Sequence, residues 1–168
     1  AVNVDRRVIR GIGERGLPEL PPEGREGVDD PAPAADGYLD MLHGSWRDHL
    51  PLKPDGTADD RESGEFRRFV ESQLFWDRAM ALGIAAAAAR SPDALVVGLM
   101  GSGHVVNGWG VPAQLADLGV APVLSLLPWD QAKDCARLVA GYADAVFGLD
   151  APPRPPAPPR ARLGVTLE

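Results

Sequence analysis

The longest regular pattern in the chain is an apolar stripe at three- and four-residue spacing over residues 66–90, which predicts a long helix with one buried face. Ser63 is the expected N-cap of this helix, and Glu65 suits its first turn. Shorter stripes of the same spacing predict helices at 5–15, 37–50, 111–118 and 130–143. Helical periodicity is thus the main signal in the first half of the chain.

Three unbroken apolar runs predict buried strands. They lie at 94–100, 121–127 and 145–149. Because strands and helices alternate along this part of the chain, we expect an α/β fold with a mainly parallel sheet flanked by helices. The predicted helix at 37–50 comes before this alternation and forms a helical insert.

The composition changes after residue 150. Residues 151–160 contain six prolines, and proline fixes φ and removes backbone donors, so a stiff extended linker is predicted over 151–161. Residues 162–168 have the apolar pattern of a new strand. The predicted organisation is therefore one α/β domain over 1–150, the linker, and the start of a further domain.

Charge and cysteine content exclude several classes of function. The 168-residue chain carries a net charge of −7, which argues against binding nucleic acid or an anionic membrane through charge. Its single cysteine, Cys135, excludes an internal disulfide and a cysteine zinc cluster, and we expect it to be a small buried hydrophobe in a helix. No uncharged apolar stretch is long enough to span a membrane, and no signal peptide is visible.

Two polar residues, Gln73 and Asp77, interrupt the apolar stripe of the long helix one turn apart. A carboxylate on a buried face is costly unless it is paired or hydrogen-bonded, so Asp77 needs a partner. One interpretation is that Asp77 caps a loop or pairs with an arginine. The other is that it orients or tunes His104, which follows the next predicted strand.

His104 ends a short glycine loop that contains Gly103, directly after the predicted strand at 94–100. Ligands of open α/β sheets bind at the carboxyl ends of the strands. Histidine is also the side chain most easily used as a metal ligand or proton carrier near neutral pH. His104 is therefore either a working residue or a residue whose ring pins the loop by a hydrogen bond to a neighbouring carbonyl.

These motifs resemble one known family. The spacing of these motifs is similar to that in the ChaN-like haem-binding uptake proteins, which are part of the Tiki and erythromycin-esterase superfamily. The positions that carry the resemblance are Gln73, Trp76-Asp77, Met80-Ala81, Leu95-Val96-Val97, Gly103-His104 and Gly110-Val111-Pro112. Residues 1–3 with Arg6, Arg7 and Val8 also resemble a strand end and helix of that family. The resemblance covers roughly residues 1–149, and it implies that the chain starts in mid-domain, without the family's first half.

The resemblance implies a haem-binding protein of haem or iron uptake in the cell envelope, as a periplasmic or outer-membrane lipoprotein. Family members bind haem between two subunits, with a tyrosine ligand and a histidine nearby, so a homodimer is expected. The candidate iron ligands are His104 and Tyr38. The wider candidate set for the cofactor adds Gly103, Asp77, Gln73 and Trp109.

Two other functions stay open. The superfamily includes metal-dependent hydrolases, whose chemistry needs several histidines and carboxylates brought together. With three histidines in the chain, we do not expect a complete enzyme within these residues. The second of these functions is that of a non-catalytic scaffold, because residues 162–168 resemble the opening of a PDZ domain. Such a domain would bind a partner peptide.

Overall fold

The computed structural model describes residues 3–49 and 61–150. It is a mixed α/β structure, as the sequence predicted, in which helices dominate and two strands form a small parallel sheet. The helices are α1 (Arg6–Arg15), α2 (Asp36–His49), α3 (Gly64–Arg90) and α4 (Val111–Asp117). The strands are β1 (Leu126–Asp130) and β2 (Ala145–Leu149).

Side-chain caps explain where the helices begin and end. The Ser63 hydroxyl accepts a hydrogen bond from the Phe66 amide at 3.1 Å, so α3 begins at its predicted cap. The Asp5 carboxylate does the same for α1 through the Arg7 amide, at 2.8 Å. Gly16 ends α1 with a φ of 99°, a value that a side chain would strain. These predicted helices are confirmed.

Helix α3 is the centre of the structure, because the other three helices all pack on it. Its three contacts are apolar clusters: the one against α2 lies on the first part of α3, and those against α1 and α4 share the stretch that follows. Their most buried members are Ile12, Phe75 and Ala79 against α1; Tyr38, Leu42, Trp46 and Phe66 against α2; and Met80, Ala81, Val111 and Leu115 against α4. The amphipathic stripe of α3 is thus satisfied by helices rather than by a sheet.

The sheet is parallel, with Leu127 of β1 in register with Val146 of β2. The predicted strand at 145–149 is confirmed, whereas the strand predicted at 121–127 begins only at Leu126 and runs on to Asp130. The strand predicted at 94–100 is wrong: this segment is not assigned as a strand, and no described strand pairs with it. An apolar run favours extended backbone, but a strand also needs a neighbouring chain that completes its hydrogen bonds.

The helix predicted at 130–143 is also wrong, since only one short turn, Cys135–Arg137, is helical there. Two aspartates, Asp130 and Asp134, each accept a hydrogen bond at 3.0 Å from the amide two residues ahead. Such local bonds compete with a helix and favour turns. Cys135 is exposed rather than buried as a consequence.

A buried arginine joins α3 to two other segments. Arg78 is 5% exposed and forms ion pairs with Asp29 at 2.6 Å and with Asp117 of α4 at 2.7 Å. Beside it, the Gln114 side chain exchanges two hydrogen bonds with the backbone of Ala32, at 2.8 and 3.0 Å. The loop before α2 and helix α4 are therefore both held to α3 by polar contacts.

Among the helices of the described residues, none is both long and apolar enough to cross a membrane. The predicted linker at 151–161 and the predicted strand at 162–168 lie outside the described residues.

Candidate functional site

Asp77 is the centre of a buried polar group that joins α2, α3 and the loop before α4. Its side chain is fully buried, and both carboxylate oxygens are used. Oδ1 lies 2.6 Å from Nδ1 of His104, and Oδ2 accepts a hydrogen bond of 2.6 Å from the Tyr38 hydroxyl. The structure thus places the aspartate of the helical stripe directly against the histidine of the glycine loop.

The contact with Asp77 decides which nitrogen of His104 is available. A carboxylate oxygen at 2.6 Å requires a proton on Nδ1, so in the neutral ring Nε2 carries the lone pair. The side chain is 18% exposed, and no described residue forms a hydrogen bond with Nε2. His104 therefore presents a fixed, free acceptor nitrogen at the edge of a buried network.

The loop backbone reaches this position because of one glycine. Gly110 has a φ of 61°, which favours glycine, and a Cβ on it would lie 2.6 Å from the His104 carbonyl oxygen. The same Cβ would lie 3.2 Å from Oδ1 of Asp77. Only a residue without a side chain lets the two approach, which gives the Gly110-Val111-Pro112 motif a physical reason.

Tyr38 is buried, at 2% exposure, and its hydroxyl is committed to Asp77. Burial and the Asp77 carboxylate both raise the pKa of the Tyr38 hydroxyl well above its usual range. Trp109 stacks on the phenol ring with centroids 6.2 Å apart, and a side chain on Gly37 would overlap the indole. In this arrangement Tyr38 is a hydrogen-bond donor to Asp77 and not a free phenolate.

The remaining predicted site residues lie around this group without entering it. Gln73 is half-buried one turn before Asp77, and its side chain forms no hydrogen bond with another described residue. Gly103 is exposed in the turn that leads to His104. His43 lies elsewhere, in ring contact with Trp46 and Phe66. Within residues 3–49 and 61–150, no three histidine, cysteine or acidic side chains are grouped to hold a metal ion.

A groove of about 280 Å³ shares Trp76 with the surroundings of His104, although His104 itself does not line it. Trp76 links the two: its ring contacts the His104 ring edge-on at 5.2 Å, and its indole nitrogen donates to the Asn3 side chain. The groove is lined by Asn3, Val4, Arg6, Ile9, Arg10 and Trp76. Arg10 belongs to no recognisable sequence motif, although its spacing of four residues from Arg6 places both on one face of α1.

Fold and site together define a helix-rich α/β protein in which a buried aspartate holds a histidine, and the histidine ring contacts a tryptophan that lines a groove. The family described as haem-binding uptake, Tiki superfamily, ChaN matches residues 1–115, and the chain belongs to this family. Comparison with curated proteins and with solved structures finds no match.

Proposed function

We propose that the chain binds haem and that Nε2 of His104 is an axial ligand of the iron. The observation that carries this proposal is the 2.6 Å contact between Asp77 and Nδ1 of His104. A histidine that ligates a metal usually donates its other ring N–H to a carboxylate or carbonyl, which fixes its orientation and makes it a stronger donor. His104 has this partner.

The aromatic and apolar side chains on the Trp76 side of His104 support an iron porphyrin as the ligand. Haem iron accepts a neutral imidazole, and the macrocycle needs apolar and aromatic contacts. Trp76 supplies an aromatic wall in contact with His104, and Val4 and Ile9 continue the apolar surface. When bound, the haem would supply the iron; the chain would hold and orient it through His104 and exclude water with these side chains.

The family match and the open groove support two further proposals, a role in uptake and a homodimer. The family's description names haem-binding uptake, so we propose a role in haem or iron uptake in the cell envelope. An open groove covers only one side of a flat ligand. A second copy of the chain is the partner we propose for the other side, in a homodimer.

A haemin titration followed by absorbance tests the iron ligand. We expect a Soret shift that saturates at a defined ratio in the unmodified protein and is lost or strongly reduced in His104→Ala. Added imidazole should restore much of the spectrum by replacing the missing ring. His43→Ala is the matched control, because it removes a histidine that lies away from the site. An unchanged affinity and spectrum in His104→Ala would exclude His104 as the ligand.

The prediction that Tyr38 is an iron ligand has its own test. If Tyr38 binds the iron, Tyr38→Phe should abolish the spectrum of a phenolate complex. Its burial and its bond to Asp77 instead favour a modest change in affinity, caused by a less well-held Asp77. Haemin spectra of Tyr38→Phe and His104→Ala, recorded side by side, separate the two ligands.

The same Asp77–His104 contact also favours a second candidate function, because a carboxylate-held histidine is the arrangement of a general base. A hydrolase would then use Nε2 to take a proton from water or a hydroxyl. Hydrolysis of an activated aryl ester by haem-free protein, absent in His104→Ala, would support this function. A rate equal to that of buffer would exclude it for this substrate class.

A further inference from the structure

The groove that shares Trp76 with the surroundings of His104 is lined by apolar side chains and two arginines. Arg6 and Arg10 lie one turn apart on α1, both are exposed, and both line the groove with Val4, Ile9 and Trp76. Arginine stems pack well on apolar surfaces while their charged ends reach solvent or a ligand. The groove therefore combines apolar side chains with two cationic ones.

Neither arginine is neutralised by the rest of the described chain. Arg7, between them, pairs with Asp5 at 2.6 Å, and Arg15 at the end of the helix lies 3.7 Å from Glu14. No described acidic residue forms an ion pair with Arg6 or Arg10. Two free guanidinium groups on one helix face are notable in a chain of net charge −7, in which acidic side chains are plentiful.

The positive charge of Arg6 lies at an unfavourable position in α1, and a bound anion would offset this unfavourable interaction. Arg6 is the first residue of α1, where the partial positive charge of the helix N-terminus disfavours a cation. Arg7 is in the same turn, but the Asp5 carboxylate offsets its charge. An anion in the groove would offset the charge of Arg6 in the same way.

We propose that the groove holds the carboxylate edge of a porphyrin, with Arg6 and Arg10 binding its two propionate groups. Val4, Ile9 and Trp76 would contact the flat apolar ring. This inference rests on the proposed haem function and extends it, because it assigns the carboxylates to residues other than the iron ligand. Two guanidinium groups one turn apart match a ligand with two carboxylates, and planar guanidinium groups bind carboxylates in paired hydrogen bonds.

Iron-free protoporphyrin IX is the probe, because it carries both carboxylates but cannot be ligated by His104. Its dimethyl ester has the same ring without the charges. Binding of each would be measured by fluorescence to the intact chain, to Arg6→Gln/Arg10→Gln and to the matched control Arg15→Gln/Arg67→Gln. The control removes two exposed positive charges that lie outside the groove.

We expect Arg6→Gln/Arg10→Gln to bind protoporphyrin IX roughly tenfold more weakly, since two solvent-exposed ion pairs together contribute about one order of magnitude. The control variant should bind as the unmodified chain does. The dimethyl ester should bind the unmodified chain and the Arg6→Gln/Arg10→Gln variant equally. Equal binding of protoporphyrin IX to all three proteins would overturn the proposal. Displacement of the porphyrin by an equal concentration of laurate would also overturn it, because the groove would then serve simple fatty carboxylates.

The outcomes separate this inference from the proposed iron ligand. The arginine variant should weaken the binding of both porphyrins, whereas His104→Ala should alter the haemin spectrum, because only haemin carries an iron for the imidazole to ligate. If the arginine variant weakens protoporphyrin binding but His104→Ala leaves the haemin spectrum intact, the groove stands and the iron ligand is wrong. If the haemin spectrum depends on His104 but the arginines have no effect on either porphyrin, the iron ligand stands and the groove assignment falls.

Discussion

The helical region and the strand region of this chain bury their apolar residues to very different extents. In the helical region, formed by α1 to α4, Ile12 and Phe75 are completely buried. Residues 94–100 and 121–149, in which the sequence predicted three strands, form the strand region. Here Leu95 and Leu99 are both 89% exposed. Helices complete their own backbone hydrogen bonds and need only a side-chain partner, whereas strands also need a neighbour along their edge.

This difference explains why the candidate site does not depend on the small sheet. Asp77 and Tyr38 come from helices, and the loop that carries His104 is held by contacts to Asp77 and to α4. None of these positions depends on a strand ladder. The strand region contributes a backbone hydrogen bond to this loop, from the Asn107 amide to the Tyr142 carbonyl oxygen at 2.9 Å, whereas the helical region supplies the carboxylate that positions His104.

The largest expected effect is in the helical core. Phe75→Ala should lower the free energy of unfolding by about 3–5 kcal/mol, because it leaves a cavity between α1 and α3. Leu99→Ala, the matched change in the strand region, should alter it by less than about 0.5 kcal/mol. Urea unfolding measures both values. A similar loss in the two variants would mean that Leu99 is covered in solution.

Two glycines of α2 test how tightly the helical region is packed around the site. Gly37→Ala places a methyl group against the Trp109 ring, and we expect a loss of about 1–3 kcal/mol. Gly44 has nothing within 4 Å of an added Cβ, so Gly44→Ala should stabilise the helix by about 0.5–1 kcal/mol. Thermal unfolding of both variants checks the sign of each change; stabilisation by both would show that Trp109 is free to move.

Acid should weaken the helical region through the contact of Asp29 with Arg78. Hydrogen bonds from Arg78 hold the pKa of Asp29 below its usual value, so the unfolded chain binds the proton more readily. The stability that this pair contributes is present above about pH 4 and is lost as the pH falls through the folded pKa. Because Asp29 is partly exposed, we expect an effect of about 0.5 kcal/mol or less.

The change in melting temperature between pH 5 and pH 3 measures this effect. Asp29→Asn should reduce that change relative to the unmodified chain. Asp30→Asn is the neighbouring control, since Asp30 contacts Arg25 instead. An equal acid dependence in the unmodified chain and Asp29→Asn would show that the pair does not contribute.

The smallest expected effect is in the strand region. Leu95→Ser/Leu99→Ser should leave the melting temperature nearly unchanged, because both side chains are exposed in the structure. It should also reduce the binding of an apolar dye, as the exposed apolar area becomes smaller. A drop of several degrees would indicate that another surface covers these residues.

Sequence patterns predicted most helices well because spacing and caps are local: Ser63 marks a helix start that the structure confirms. They failed at 94–100 and 130–143, where a missing strand partner and two aspartate turns decided the outcome. At the site, the need of Asp77 for a partner could be read from its place in an apolar stripe. The identity of Tyr38 as one partner could not be predicted from the sequence, because Tyr38 and Asp77 are 39 positions apart and only tertiary packing brings them together.

The two hydrogen bonds of Asp77 constrain how relatives of this chain are able to diverge. Replacing Tyr38 or His104 alone leaves a fully buried carboxylate oxygen without a donor. Replacing Asp77 alone leaves two donors without an acceptor. A lineage that changes one of the three therefore faces an immediate loss of stability unless the others change with it. Across related sequences, tyrosine, aspartate and histidine at these positions should be kept or lost as a set.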